Sequence, residues 1–294
     1  MTRAPLAFVT MVRGDHAMLD KWVGHHAALA GGRDALTVIS HGADPRHDRL
    51  ARGCSRLTIP FDPAGDGFEP RRMALLHGLV AGLTGYFRHV VVLDCDEFLI
   101  AGPQLSGSLA DHLDCRAFEG VALSPVGLDL IHRPSLEPEA LDLTRPVIGQ
   151  RRHGVLHAAY SKPCIFRAPP PAGGNQHRLK GQPWQIDPDL MLVHLRHADR
   201  GMATRTGRAR MRTVAAFDAA GSDHRIGTWS DRLVRLESAI ARVESSPCPD
   251  LTRADLTGFA ARQRAIHDER GGALDWKRGQ SAPLRLPDSY LGRV

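Results

Sequence analysis

Lysine is scarce in this chain: Lys21, Lys162, Lys180 and Lys277 are the only ones in 294 residues, so the 38 basic residues are nearly all arginine. An arginine-biased composition accounts for part of the formal charge of +6. The remaining basic surface suits phosphate-bearing substrates or an anionic membrane face. Aromatic residues make up only 5% of the chain. Basic and aromatic residues do not interleave as they do in single-strand binders, and no helix-turn-helix signature is present, so nucleic acid is not an expected partner. No apolar run approaches the ~20 residues that cross a bilayer. The five cysteines, Cys54, Cys95, Cys115, Cys164 and Cys248, are scattered and odd in number. None pairs at zinc-ligand spacing and no secretory signal precedes them, which excludes a zinc ribbon or a disulfide scaffold and fits reduced thiols in a cytoplasm. There is no internal repeat.

What the chain does have is Val90-Val91-Val92-Leu93 followed by Asp94-Cys95-Asp96-Glu97. A β-branched run of this kind predicts a strand buried on both faces. Carboxylates at such a strand's end call for a reason. In an extended chain Asp94 and Asp96 project to the same side, so two hard oxygen ligands can converge on one Mg²⁺ or Mn²⁺ while Cys95 points away.

Around this strand, alternation is the rule. Leu6–Val12 reads as a buried strand, Ala17–Leu29 as a helix with Asp15 as its N-cap and Gly31-Gly32 as its stop, and Ala35–Ser40 as a second strand ending in the polar loop His41–Pro45. Arg56–Pro60 is a third strand; a Gly- and Pro-rich loop to Pro70 and a helix from Arg71 to Gly82 lead into the acidic strand. Further strands are expected at Val121–Val126, Ala158–Phe166 (carrying Lys162) and Leu190–Leu195, with 132–154 as a long loop. The fold class is therefore α/β, a mixed, mainly parallel sheet flanked by helices. In such sheets ligands bind beyond the carboxyl ends of the strands, where Asp15, Asp44, Asp94 and Asp96 all fall. Helices are expected at 201–220, 230–243 and 252–268. This divides the chain into a catalytic unit at 1–200, a helical extension packed on it at 201–269, and a loosely held tail at 270–294.

The segment Leu93-Asp94-Cys95-Asp96-Glu97-Phe98-Leu99 resembles the "lDxDEFl" signature of a glycosyltransferase family 2-like group, whose members have the Rossmann-like, nucleotide-sugar-binding fold called GT-A. Thr10–Asp15 with Leu19, Trp22, Val23, His25 and His26 is similar to that group's "vrNE…l.eWv.yH" block, with Gly14-Asp15 standing where the pattern has Asn-Glu. Ser161–Arg167 is similar to its "sK.i.rp" segment, and His177 and His194-Leu195-Arg196 stand where it has later histidines. The resemblance spans roughly residues 6 to 200.

It implies a transferase that moves a sugar, with inversion, from a nucleotide-diphosphate sugar to a glycan or lipid-linked acceptor in polysaccharide biosynthesis, cytoplasmic or peripheral to the membrane. Its Mn²⁺ or Mg²⁺ would be held by Asp94, Asp96 and, as third ligand, His194. Asp15 and Asp44 would line the nucleoside pocket. Lys162, Arg167, Arg71 and Arg72 supply positive charge near the diphosphate, and His177 faces the acceptor or a loop over the donor. The base that takes the acceptor's proton is expected to be Asp187, with Asp129 and Glu97 behind it. Two other readings stay open. A Mg²⁺-dependent nucleotidyltransferase also sets two Asp at a strand end but would carry a richer Gly/Lys phosphate loop after its first strand. A non-catalytic protein of the same fold, binding through its basic helical third, is the other.

Overall fold

A computed structural model describes residues 2–61, 68–171, 174–175, 177–208, 228–270 and 278–294. Its strands are β1 (Ala4–Val12), β2 (Leu36–His41), β3 (Ser55–Ile59), β4 (Phe87–Val92), β5 (Glu97–Ala101), β6 (Ala122–Leu130), β7 (His153–Leu156), β8 (Ile165–Phe166), β9 (Gly174–Asn175), β10 (Arg178–Leu179), β11 (Ile186–His194) and β12 (Leu284–Arg285). The helices are α1 (His16–Ala30), α2 (Pro45–Leu50), α3 (Phe68–Leu83), α4 (Leu109–Cys115), the single turn α5 (Val147–Gln150), α6 (Thr228–Glu244) and α7 (Arg253–Glu269), with further helical turns at 200–208.

The α/β class expected from the sequence is what the chain adopts: a mixed sheet whose long pairings β1–β2, β1–β4, β2–β3 and β6–β11 are parallel. The sheet has two halves. One runs β3-β2-β1-β4, the other comprises β5, β11, β6, β7 and β12, and the two-residue β8 joins them by pairing with both β4 and β6. α1 buries Met18, Leu19, Trp22 and Val23, a helical spacing, against the core beside Phe8 and Leu36. Its C-terminus is Gly31 at φ 83°, the left-handed backbone that glycine adopts without a Cβ clash.

Several elements differ from expectation for identifiable reasons. The acidic strand ends at Val92, and residues 93–96 form the turn into β5, because Glu97 opens a new strand antiparallel to β11. The polar loop after β2 leads into α2: Asp44 accepts from the Arg46 amide at 2.8 Å and Pro45 pre-sets the first turn. Lys162 lies on a loop rather than a strand, since only Ile165–Phe166 of the expected stretch pairs. That loop presses so closely on β6 that a Cβ at Gly127 would sit 2.4 Å from the Tyr160 carbonyl carbon. The long loop expected at 132–154 contains α5 and the start of β7.

The helix expected at 201–220 is present to 208, and 209–220 lies outside the described residues. α6 buries Leu236, Ile240 and Val243 against Ile131 and Val155. α7 starts at a capping box between Thr252 and Asp255 and packs on β11 and β6. The tail expected to be loosely held is, over 278–294, part of the core. Leu284 and Leu286 are buried, β12 pairs with β7, and the Leu286 amide donates to the Arg152 carbonyl at 2.7 Å.

Candidate active site

The carboxyl ends of β1, β2 and β4 lie at one rim, because β1 pairs in parallel with both neighbours. The second half delivers its own ends to the same place: His194 closes β11, Asp129 lies beside it on β6, and Glu97 opens β5 opposite His194. The turn 93–96 is therefore the seam between the halves.

Acids and permanent cations alternate there. Arg72, from the first turns of α3, donates to one oxygen of Asp94, and the other lies 3.4 Å from Lys162 Nζ. Lys162 also reaches Glu97 Oε2 at 2.8 Å, and that same carboxylate oxygen accepts from the Asp94 amide at 2.8 Å. Asp96 is bound by Arg196 through Nε at 2.8 Å and through Nη2. Three carboxylates at the turn, Asp94, Asp96 and Glu97, thus face three cations, Arg72, Lys162 and Arg196, and Arg72 pairs in addition with the exposed Glu69 at 3.1 Å. Burial pushes the Asp94 carboxyl up, but Lys162 and Arg72 outweigh it and hold it below the ordinary range. Burial keeps Glu97 above its ordinary value against the pull of Lys162. Lys162, although buried, is held above its own by Asp94 and Glu97.

His194 sits beside this group. Its Nδ1 lies 2.8 Å from Asp129 Oδ1, its ring stacks on Tyr160 at 4.0 Å, and its Nε2 faces Asp96 Oδ2 at 3.8 Å. Asp129 holds His197 Nδ1 with its second oxygen at 2.8 Å. Burial opposes ionisation of Asp129, yet the two imidazoles pull it far below the usual carboxylate range, and the same contact raises His197 against its own burial.

The remaining expected residues divide into those the fold brings together and those it does not. Asp15 occupies the N-cap position of α1 at φ 48°, but its side chain makes no capping bond; it follows Gly14 at φ 64° at the end of β1. Glycine in that left-handed position keeps a backbone that asparagine, the residue of the family pattern, also tolerates. Asp44, at the end of β2, accepts from His16 Nε2 at 2.7 Å. Burial raises it, but the His16 and Arg46 bonds bring it to about 2. His177 reaches the Ala159 carbonyl at 2.9 Å and is lowered to about 4, first by burial and then by Lys162.

Asp187 does not join the rim. It lies at the opposite end of β11, roughly 20 Å of strand from His194, fully buried between His112 at 2.8 Å and Arg116 at 3.1 Å. It cannot take a proton from an acceptor there. Asp129, with both oxygens bound to histidines, is equally committed. Glu97 is 2% exposed, and its Oε2 is taken up by the Asp94 amide and Lys162. Arg167 is exposed beyond β8, stacked on Phe118 at 5.1 Å, away from the acids, and Arg71 is exposed on α3.

Arg196 and His197 are rim residues whose roles sequence reasoning did not assign, and Asp129, expected as a reserve base, is instead the residue that holds both histidines. The His194-x-x-His197 spacing with Arg196 between was the available signal. A shallow open pocket of about 390 Å³, solvent included, adjoins Asp94, Arg72 and Lys162 and is floored by Leu76, Leu93 and Phe166.

No family model matches this chain, and no curated protein does. Among solved structures it is similar to a bifunctional glycosyltransferase, WbbM, at 13% identity over 43% of this chain and 24% of that one, with a TM-score of 0.26. It is similar to the mannosyltransferase PcManGT of Pyrobaculum calidifontis, bound to GDP-Man and Mn²⁺, at 11% identity over 93% and 77%, with a TM-score of 0.39. A third is the galactosyltransferase LgtC with donor and acceptor sugar analogues, at 16% over 45% and 49%, with a TM-score of 0.24. The chain therefore spans about a quarter of the first and half of the third. No helix among the described residues is long and apolar enough to cross a membrane.

Proposed function

We propose that the chain is a metal-dependent glycosyltransferase that takes a sugar from a nucleotide-diphosphate donor and passes it to a glycan or lipid-linked acceptor. One observation carries this: Asp94, Asp96 and Glu97 are ion-paired with Arg72, Lys162 and Arg196 at the seam, with His194 Nε2 3.8 Å from Asp96. Two carboxylates and an imidazole are donor types that suit a hard or borderline dication; in the ligand-free chain Asp94, Asp96 and His194 do not all lie within 4.8 Å of one another, so binding would draw Asp94 inward. Two ligands bonded to one ion at about 2.1 Å lie at most about 4.2 Å apart, and His194 Nε2 and Asp96 Oδ2 are separated by 3.8 Å. Asp129 fixes the imidazole so that Nε2 is the nitrogen presented, the orienting partner that metal-bound histidines generally have.

Asp94, Asp96 and His194 would hold Mn²⁺ or Mg²⁺, which supplies neutralising charge to the departing diphosphate. The chain's own part follows from charge balance. Arg72, Lys162 and Arg196 are engaged by carboxylates in the ligand-free protein and turn toward phosphate oxygens when a dication takes over those carboxylates. Glu97 keeps the 93–96 turn in place throughout through the Asp94 amide. Asp15 and Asp44, at the ends of β1 and β2, lie on the nucleoside side.

A cluster of paired charges resists a dication alone, because its cations repel it, and resists a diphosphate alone, because its acids do. Together they restore neutrality. Thermal-shift and calorimetric titrations with UDP-, GDP- and CMP-sugars, with and without Mn²⁺, test this. The expected result is that each ligand strengthens the other's binding by the same factor, as linkage requires. Stabilisation by nucleoside triphosphates and Mg²⁺ alone would instead indicate a nucleotidyltransferase, and no response to any of them a protein without catalysis.

A further inference from the structure

Away from the seam, two histidines converge on Asp44. His16 Nε2 lies 2.7 Å from Asp44 Oδ2 and His47 Nε2 3.5 Å from the same oxygen, and all three ligand atoms fall within 4.8 Å of one another. The three come from different elements: His16 opens α1, Asp44 caps α2, and His47 is the third residue of α2. His47 is 2% exposed and its Nδ1 is engaged by Ser40 Oγ at 2.7 Å, which leaves Nε2 as the nitrogen turned toward Asp44. Nε2 also lies 2.9 Å from the Gly14 carbonyl, an oxygen that only accepts, so in the ion-free protein that nitrogen carries a proton.

The contrast with the seam is chemical. There the acids are paired with arginines and a lysine that stay charged. The ion pairs of Asp44 among the described residues are with histidines alone, and a histidine can exchange its proton for a metal.

We propose that His16, Asp44 and His47 form a second metal site, for a borderline transition ion such as Zn²⁺, Co²⁺ or Ni²⁺, with one coordination position left open. Two nitrogens and one carboxylate oxygen are the donor set of three-ligand zinc sites. Bonds of about 2.0–2.1 Å to a tetrahedral ion put ligand atoms roughly 3.3–3.5 Å apart. The Asp44–His47 pair already stands at 3.5 Å. His16, at 2.7 Å, closes the site with a hydrogen bond and needs to withdraw by less than ~1 Å, which its partly exposed side chain permits. Ser40 is the outer partner that fixes the His47 ring. A bound ion would tie the start of α1 to the start of α2.

Titration of the full-length chain with Co²⁺, without nucleotide, tests the site through the visible absorption of four-coordinate cobalt. The expected result is a saturable band that Zn²⁺ displaces, that His16→Ala abolishes, and that Ser40→Ala weakens about 10–100-fold. Because His16 is partly exposed, its replacement leaves the fold intact, which circular dichroism verifies. The band persists in Asp94→Asn and His194→Ala, whose defect, under the reading above, is confined to Mn²⁺ and sugar nucleotide. No band, or a band indifferent to His16→Ala, overturns the site without touching the seam. Loss of the Mn²⁺–nucleotide linkage with the band intact is the reverse case.

Discussion

Asp94 divides its carboxylate between Arg72 and Lys162, so replacing it by asparagine keeps the shape and removes the one charge that both cations share. Turnover of sugar nucleotide by Asp94→Asn is expected to fall at least about 100-fold, the scale on which a lost electrostatic contact to developing charge is felt. Single-turnover assays check this, and parental turnover would remove the metal from the scheme. His26 offers a different residue-scale test. It is fully buried between Trp22 and Phe98, and burial holds it well below its ordinary 6.5. The folded chain keeps it neutral, while the unfolded chain binds a proton below about pH 6.5. Stability contributed by the neutral ring is therefore present above that pH and falls as pH drops. Melting temperature followed from pH 7 to 5 is expected to decline less steeply in His26→Gln than in the parent. At this scale the acids, Lys162 and His194 were legible in the sequence, because each stands in a short motif. The hold of Arg196 on Asp96 and of Asp129 on His194 was not, since those partners are 100 and 65 residues apart.

Among the elements, the loop that carries Lys162 shows how local pattern was overridden. Its apolar residues suggested a strand, but the loop is held by bonds strands do not make: the Gly127 amide donates to Ser161 Oγ at 2.8 Å, and Trp184 Nε1 donates to the Ser161 carbonyl at 2.8 Å. Gly127 is the position where close approach leaves no room for a Cβ. Gly127→Ala is expected to cost about 1–3 kcal/mol by overpacking and to weaken binding of Mn²⁺ with nucleotide, because Lys162 rides on the displaced segment. Denaturant unfolding gives the first quantity and calorimetry the second. Strands β1, β2 and β4 were readable because their apolar runs are buried; β5 was not foreseen, because nothing in Leu93–Asp96 marks the start of a new strand. α2 was hidden in what looked like an ordinary Asp-Pro turn.

Over the whole molecule, the last stretch of chain matters more than its polar, Gly- and Pro-broken composition suggested. Leu286 is fully buried, and Arg152 grips its carbonyl at 2.7 and 2.9 Å while reaching Asp288 at 2.6 Å. Leu286→Ala is expected to destabilise by about 2–5 kcal/mol, the range for a core leucine, measurable by chemical denaturation; a change below ~0.5 kcal/mol would mean the segment is held loosely after all. Such long-range pairing leaves no local periodicity to read. The division of the sheet has a final consequence. Asp94 follows β4 in one half and Asp96 is held by Arg196 at the end of β11 in the other, while β8 joins the halves within the sheet and α1 packs across both, with His25 reaching the Leu99 carbonyl at 2.8 Å. A ligand that grips both carboxylates at once would staple the two halves at their rim, adding a tie at the edge of a junction whose middle β8 and α1 already hold.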